Sequence, residues 1–340
     1  MAEWLCSGLQ LRVHRFDSVL SLQPMKILVT GSSGFIGYHL VKQLLDSEHT
    51  VIGIDNHNDY YDVSLKKQRN KKLSSQKFIF YLQDINEIKI NEAEIDLVIH
   101  LAAQAGVRVH KNKEHLYEHS NIRGFNSVLR FCEEKKIKKV IYASSSSVYS
   151  DEDEKIFTEN TTKLMPKSKY GKSKLLNELH ASNFFSKTNI SIVGLRFFSV
   201  YGPFGRPDMA YYAFTEALNN GKKITLYNNG DMARDMTYID DIIHGITQTI
   251  SYIFSKEICN NEIFNLGNNY PVKTKYMLEF IETQLRLKAD INYVHTDNES
   301  LFTHANINKA KKILNYAPKT RFEIGMKEFL LWHKQRILDN

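Results

Sequence analysis

The sequence predicts an α/β protein built on a doubly wound parallel sheet, with a smaller, mostly C-terminal lobe. Three observations lead there. From Met25 onward, short β-branched runs alternate with helical patterns; these runs are apolar on both faces; and after Arg196 the rhythm loosens into segments rich in Gly, Pro, Asn, Tyr and Arg. Strands that are apolar on both faces and joined through helices belong in a parallel sheet covered on each side. Such sheets bind their ligands at the carboxyl ends of the strands.

Taken in order, strands are expected at residues 26–30, 51–55, 78–82, 97–101, 140–144 and 190–196, with helices between them, among these 36–45, 122–135 and 170–185. Residues 199–236 read as loop-rich with one helix near 210–218. A helix (238–250), a strand (262–266) and mostly helical segments complete the chain. The division expected is residues 25–198 for a dinucleotide-binding domain and 199–340 for a substrate-binding lobe, with some late elements returning to the first sheet. In residues 1–24 the apolar positions are interrupted by Arg12, His14, Arg15 and Asp17. They form neither a signal-peptide core nor a membrane span, and read as a dispensable extension.

Composition narrows the function. The 340 residues are 42% hydrophobic and 24% charged, with six prolines and no low-complexity tract, as in a folded globular chain. The three cysteines, Cys6, Cys132 and Cys259, are odd in number and far apart. That spacing suits neither a disulfide framework nor a metal site, so a reducing, cytoplasmic setting and no metal are expected. The net charge of +7 comes from short lysine groups with acids between them, not from an interleaved basic–aromatic stripe. No nucleic-acid partner and no membrane are expected; a mild positive field can steer a small anionic substrate.

Gly31-Ser32-Ser33-Gly34-Phe35-Ile36-Gly37 follows the first strand and opens a helix. Gly31 makes the tight turn, Gly34 admits a pyrophosphate against the backbone, and Gly37 lets helix and strand approach closely. The helix N-terminus adds N–H donors and positive dipole. Asp55 ends the second strand, 24 positions after Gly31. A carboxylate there accepts from both ribose hydroxyls and repels a 2′-phosphate, which selects NAD. This makes the fold Rossmann-like. Asp84, after the third strand, lies toward the adenine side, and Leu101-Ala102-Ala103 offers small residues against which a cofactor can lie.

Tyr170 and Lys174 stand four apart at the start of a helix and share one face. A tyrosine ordinarily titrates at about 10. A neighbouring ammonium stabilises the phenolate, which can then take a proton from a hydroxyl. Such a pair alone is common by chance. The serine run Ser144-Ser145-Ser146-Ser147 ends a strand upstream and supplies a hydroxyl to bridge phenolate and substrate.

Together these residues resemble the extended short-chain dehydrogenase/reductase superfamily, its nucleotide-sugar epimerases, and among those the UDP-glucuronate 4-epimerases. The matching stretches include Ile54-Asp55-Asn56, His100 to Arg108, Tyr142 to Tyr149, Leu195 to Pro203, Gly205 to Ala210 and Tyr227 to Asp235. The resemblance implies Ser145 as the catalytic serine, Tyr170 as the base and Lys174 as its electrostatic partner. It extends the NAD contacts to Phe35, Ile36, Asn56, Ile85 and Gln104, and to Tyr170 and Lys174 themselves. It places Ser145, Ser146, Ser147, Ser199 and Arg206 near the sugar, and Arg234 at the UDP diphosphate. A homodimer formed through the helices near 122–135 and 170–185 is implied as well.

Three places depart from the family pattern. Ser199 stands where the family has threonine, and the family's Pro-Gly-Asp and Thr-x-Ala-Asp are replaced by Asp297-Asn298-Glu299 and Thr303-His304-Ala305-Asn306. Related dehydratases carry Asp-Glu after the catalytic hydroxyl and related decarboxylases carry Glu at the Ser147 position, which leaves epimerisation. UDP-glucose or UDP-N-acetylglucosamine as the substrate remains an alternative. So does a catalytically idle NAD-binding scaffold on the same fold.

Overall fold

The computed structural model describes residues 23–107, 111–149, 156–255, 260–296 and 301–338. Cys6, Cys259 and residues 297–300 lie outside them, as does nearly all of the 1–24 segment. The first half runs β1 (Lys26–Thr30), α1 (Phe35–Asp46), β2 (Thr50–Asp55), α2 (Val63–Lys72), β3 (Phe78–Leu82), β4 (Leu97–His100), α3 (Gly124–Glu134), β5 (Lys139–Ser145), α4 (Lys169–Phe185) and β6 (Ser191–Phe197). The second half adds β7 (Ser199–Tyr201), α5 (Ala210–Asn219), β8 (Ile224–Tyr227), β9 (Ala233–Tyr238), α6 (Ile239–Phe254) and β10 (Asn261–Leu266). It closes with β11 (Pro271–Lys273), α7 (Thr274–Leu285), β12 (Ile291–Val294), α8 (Asn308–Leu314) and α9 (Phe322–Leu338).

Seven strands form one parallel sheet in the order β10-β6-β5-β4-β1-β2-β3. The α/β, doubly wound prediction holds. Alternation along β1 fills both faces: Ile27 and Val29 join Leu40, Val41, Ile242 and Ile246 on the side of α1 and α6. Leu28, pointing the other way, joins Ile52, Phe125, Val128 and Leu129 on the α3 side. Chain order reverses beside β1, where β4 pairs on one side and β2 on the other. A crevice opens there above the strand ends.

The stretch 199–236 contains more order than its composition suggests. β7, β9 and β11 form a three-stranded sheet, and β8 pairs with β12. β7 spans three residues, too few for a period, and β9 begins Ala-Arg-Asp, which masks its apolar face. The expected 262–266 strand is β10, which pairs in parallel with β6 from Asn261↔Ile192 to Leu266↔Phe197. α2 was not foreseen. Its sequence, VSLKKQRNKK, has almost no apolar period; instead Asp62 caps it by accepting from Ser64 N at 2.8 Å, and Arg69, Lys71 and Lys72 occupy its last turn.

Candidate active site

A cleft of about 800 Å³ lies over the sheet's carboxyl edge and reaches to β8 and α7. Every residue singled out from the sequence lines it: Gly31, Gly34, Phe35, Ile36, Gly37, Asp55, Asn56, Asp84, Ile85, Leu101, Ala102, Ala103, Gln104, Ser145, Ser146, Ser147, Tyr170, Lys174, Ser199, Arg206 and Arg234. The groups come from both halves of the chain.

At the β1–α1 turn the backbone is packed to contact. A Cβ on Gly37 would sit 2.0 Å from the Gly31 carbonyl oxygen, and one on Gly31, whose φ is +73°, would sit 2.7 Å from the Ala102 nitrogen. Gly34 caps α1 without a side-chain hydrogen bond, and the first turn holds no acid. The helix N-terminus thus faces the cleft with its donors and positive dipole, as a pyrophosphate requires. Asp55 accepts from Ser33 N at 3.1 Å and His57 N at 2.8 Å, and each carboxylate oxygen retains a second lone pair for a hydroxyl. Asp84 caps the turn at Ile85–Glu87, accepting from Asn86 N at 2.8 Å, and receives Asn56 Nδ2 at 3.3 Å. These donors and acceptors fit a dinucleotide.

The serines divide their work. Ser144 donates to Glu178 Oε1 at 2.5 Å, and that carboxylate pairs with Arg196 through two contacts of 2.8 and 2.7 Å. Ser145 Oγ accepts from Ser147 N at 3.1 Å, capping a single turn over Ser146–Val148. Ser145 also acts on the Tyr170 phenol in the sense that favours the phenolate. Lys174, buried, donates to the Ala143 carbonyl at 3.0 Å, with its ammonium 6.0 Å from the centre of the Tyr170 ring. Burial brings this lysine down to about 8, with Glu178 pulling upward. Tyr170 stands above its ordinary value because burial dominates, and the cation opposing that rise is Arg206, with Ser145 adding to it.

Several groups in or beside the cleft escaped the sequence reading. Asn121 lies in a seven-residue π-helical segment, Tyr117–Arg123, that runs into α3; such segments recur at functional sites. Its side chain accepts from Gln104 N at 2.8 Å and donates to Gln104 O at 3.1 Å and to Ser173 Oγ at 2.8 Å. It therefore clamps the loop after β4 to the helix bearing Tyr170. On α2, Lys66 reaches Asn58 O at 2.7 Å, and burial lowers it to about 8. Arg69, also buried, donates to Ser33 O at 3.1 Å, Tyr61 Oη at 2.6 Å and Phe204 O at 2.7 Å. The one available signal was a run of cations on a helix with no apolar face. Arg206 is not free: Asp208 pairs with it. Arg234 Nη1 donates to Ala233 O at 3.1 Å. Cys132 is buried, and among the described residues no cluster of His, Cys, Asp or Glu could hold a metal.

Comparison with known proteins gives a consistent picture. Residues 27–267 match the NAD dependent epimerase/dehydratase family. An uncharacterised protein of Methanocaldococcus jannaschii is 43% identical, over 90% of this chain and 95% of its own length. UDP-glucuronate 4-epimerase 1 of Arabidopsis thaliana is 38% identical, over 95% of this chain and 78% of its own. The crystal structure of UDP-glucuronic acid 4-epimerase from Bacillus cereus, in complex with UDP-glucuronic acid and NAD, superposes with a TM-score of 0.84. It is 33% identical and covers 92% of this chain and 100% of that one.

Proposed function

Because this chain belongs to the NAD dependent epimerase/dehydratase family, we propose that it inverts C4 of a UDP-sugar, taking UDP-glucuronate to UDP-galacturonate. The observation that carries this reading is that Ser145, Tyr170 and Lys174 line one cleft with the glycine turn and Arg206, the Lys174 ammonium lying 6.0 Å from the centre of the Tyr170 ring. Bound at that turn, NAD supplies a reversible hydride acceptor. Gly31, Gly34, Gly37 and Asp55 would hold it, with Asn56, Asp84, Ile85 and Leu101 to Gln104 lining the same cleft.

Tyr170 takes the proton of the C4 hydroxyl, and Ser145, in the same cleft, steadies the sugar oxygen. Lys174 supplies positive charge beneath the ring. The 4-keto sugar then turns over in the site, and Tyr170 returns its proton to the C4 oxygen as the centre is re-formed with inverted configuration. With glucuronate the ketone is a β-keto acid that can lose carbon dioxide, so its carboxylate must be kept out of alignment with the carbonyl. Ser146, Ser147, Ser199 and Arg206 take that part, and Arg234 the diphosphate. The chain acts in the cytoplasm as a homodimer through α3 and α4, where Leu176 and Leu179 stand exposed. Among the described residues no helix is long and apolar enough to cross a membrane.

The test is to incubate protein, NAD and UDP-glucuronate and follow the anomeric protons by NMR. UDP-galacturonate should appear without accumulating NADH or pentose. Turnover confined to UDP-glucose or UDP-N-acetylglucosamine would move the substrate assignment, and absence of turnover on all three would leave a scaffold.

A further inference from the structure

Among the described residues, Arg206 is hydrogen-bonded along one edge of its guanidinium. Its Nε donates to Asp208 Oδ1 at 3.0 Å, and its Nη2 donates to Asp208 Oδ2. Tyr60, which belongs to the loop between β2 and α2, donates its hydroxyl to the same Oδ2 at 3.0 Å. The guanidinium lies 5.9 Å over the Tyr60 ring. Gly106, at φ +89°, makes room for this contact: a Cβ there would lie 2.1 Å from Tyr60 Oη and 3.5 Å from Asp208 Oδ2. Three loops thus converge on one guanidinium at the edge of the cleft.

A guanidinium carries five N–H groups in a plane and can grip a carboxylate along either of two edges. Asp208 occupies the edge formed by Nε and Nη2. The edge formed by Nη1 and the second Nη2 hydrogen has no acceptor among the described residues, and the electrostatic influence of Arg206 reaches Tyr170. We propose that Asp208, braced by Tyr60, is a positioning residue that fixes the outer edge of Arg206 toward the reacting sugar, so that the Tyr60–Asp208–Arg206 clasp sets the preference for a sugar carboxylate over a neutral hydroxymethyl group. This rests on the reading of the cleft as a UDP-sugar site and names the groups behind its acid selectivity. An arginine with one edge already neutralised costs less to leave half-buried than a lone cation. It still presents two parallel donors whose geometry a carboxylate matches and a hydroxyl does not.

The experiment measures dissociation constants of UDP-glucuronate, UDP-glucose and UDP by calorimetry in NAD-loaded protein. All proteins carry Tyr170→Phe to prevent turnover. Asp208→Asn keeps volume and one acceptor but loses the two-point grip; Tyr60→Phe removes only the brace. The expected result is a preference for glucuronate over glucose that falls about 10-fold in Asp208→Asn, the loss of about one charge-assisted hydrogen bond. Tyr60→Phe should shift it in the same direction by less, and UDP itself should bind unchanged in both. A purely structural role would weaken all three ligands together. An unchanged preference overturns the proposal, and a raised one shows Asp208 to be a competitor for the site. If Asp208→Asn does not fold, Tyr60→Phe decides alone. If the parent protein binds UDP-glucuronate no better than UDP-glucose, the substrate reading itself fails, and the clasp falls with it.

Discussion

Lys174 loses nearly all contact with water where it reaches the Ala143 carbonyl, and this lowers its ammonium to about 8. The charged form is present below that value and lost above it, so kcat/KM should fall as pH rises through about 8. An alkaline limb nearer the ordinary lysine value of about 10 would contradict this. His39 bears on stability instead. Its Nε2 donates to the Pro203 carbonyl at 2.9 Å, and burial brings it to about 4 from the usual 6.5. Between those values the unfolded chain binds a proton that the folded chain refuses, so the stability present above pH 6.5 drains away as pH falls to about 4. His39→Gln, which keeps a donor and cannot protonate, should show a shallower decline of Tm across that window. Equal slopes would remove His39 from the account. The glycines, the serine run, Tyr170 and Lys174 were legible because each motif is local in the chain. The Tyr60–Asp208 contact spans 148 residues and the Asn121–Ser173 contact 52, and nothing in the sequence announces either pairing.

Among the elements, α1 and the strands were readable because their apolar periods match their geometry, whereas α2 and β9 depend on caps, charge and a partner strand. The β1–α1 junction also carries the sharpest steric demand. Since a methyl group at Gly37 would lie 2.0 Å from the Gly31 carbonyl, Gly37→Ala must push α1 away from the turn. The expected cost is about 1–3 kcal/mol, read from urea unfolding, together with loss of cofactor retention on gel filtration. Wild-type stability with bound cofactor would show that the junction yields more easily than its packing implies.

For the whole molecule, the division at residue 198 suggested by the change in rhythm does not separate the elements that complete the first sheet. β6 is buried along all seven residues and pairs with β5 on one edge and β10 on the other; α6, from beyond the division, packs against α1. A chain ending at residue 198 would lose that strand and that helix together. It should aggregate or remain unfolded by circular dichroism, and a monomeric, cofactor-binding 25–198 fragment would refute this. A return of late elements to the sheet was expected, but not the pairing of β10 with β6, because a strand's period says which faces it buries and not which neighbour it takes.

The pairing of β6 with β10 also has a consequence in time. Ile192 meets Asn261, 69 residues further on. At about 5–20 residues per second of synthesis, the ribosome needs roughly 3–14 seconds to deliver the second strand after the first. Throughout that interval the outer edge of β6 carries bare N–H and C=O groups on an apolar strand, a template for any other extended chain. The nascent protein is therefore most prone to stick to a neighbouring copy in the seconds before residue 266 emerges, and slower translation across residues 198–266 would lengthen that exposure.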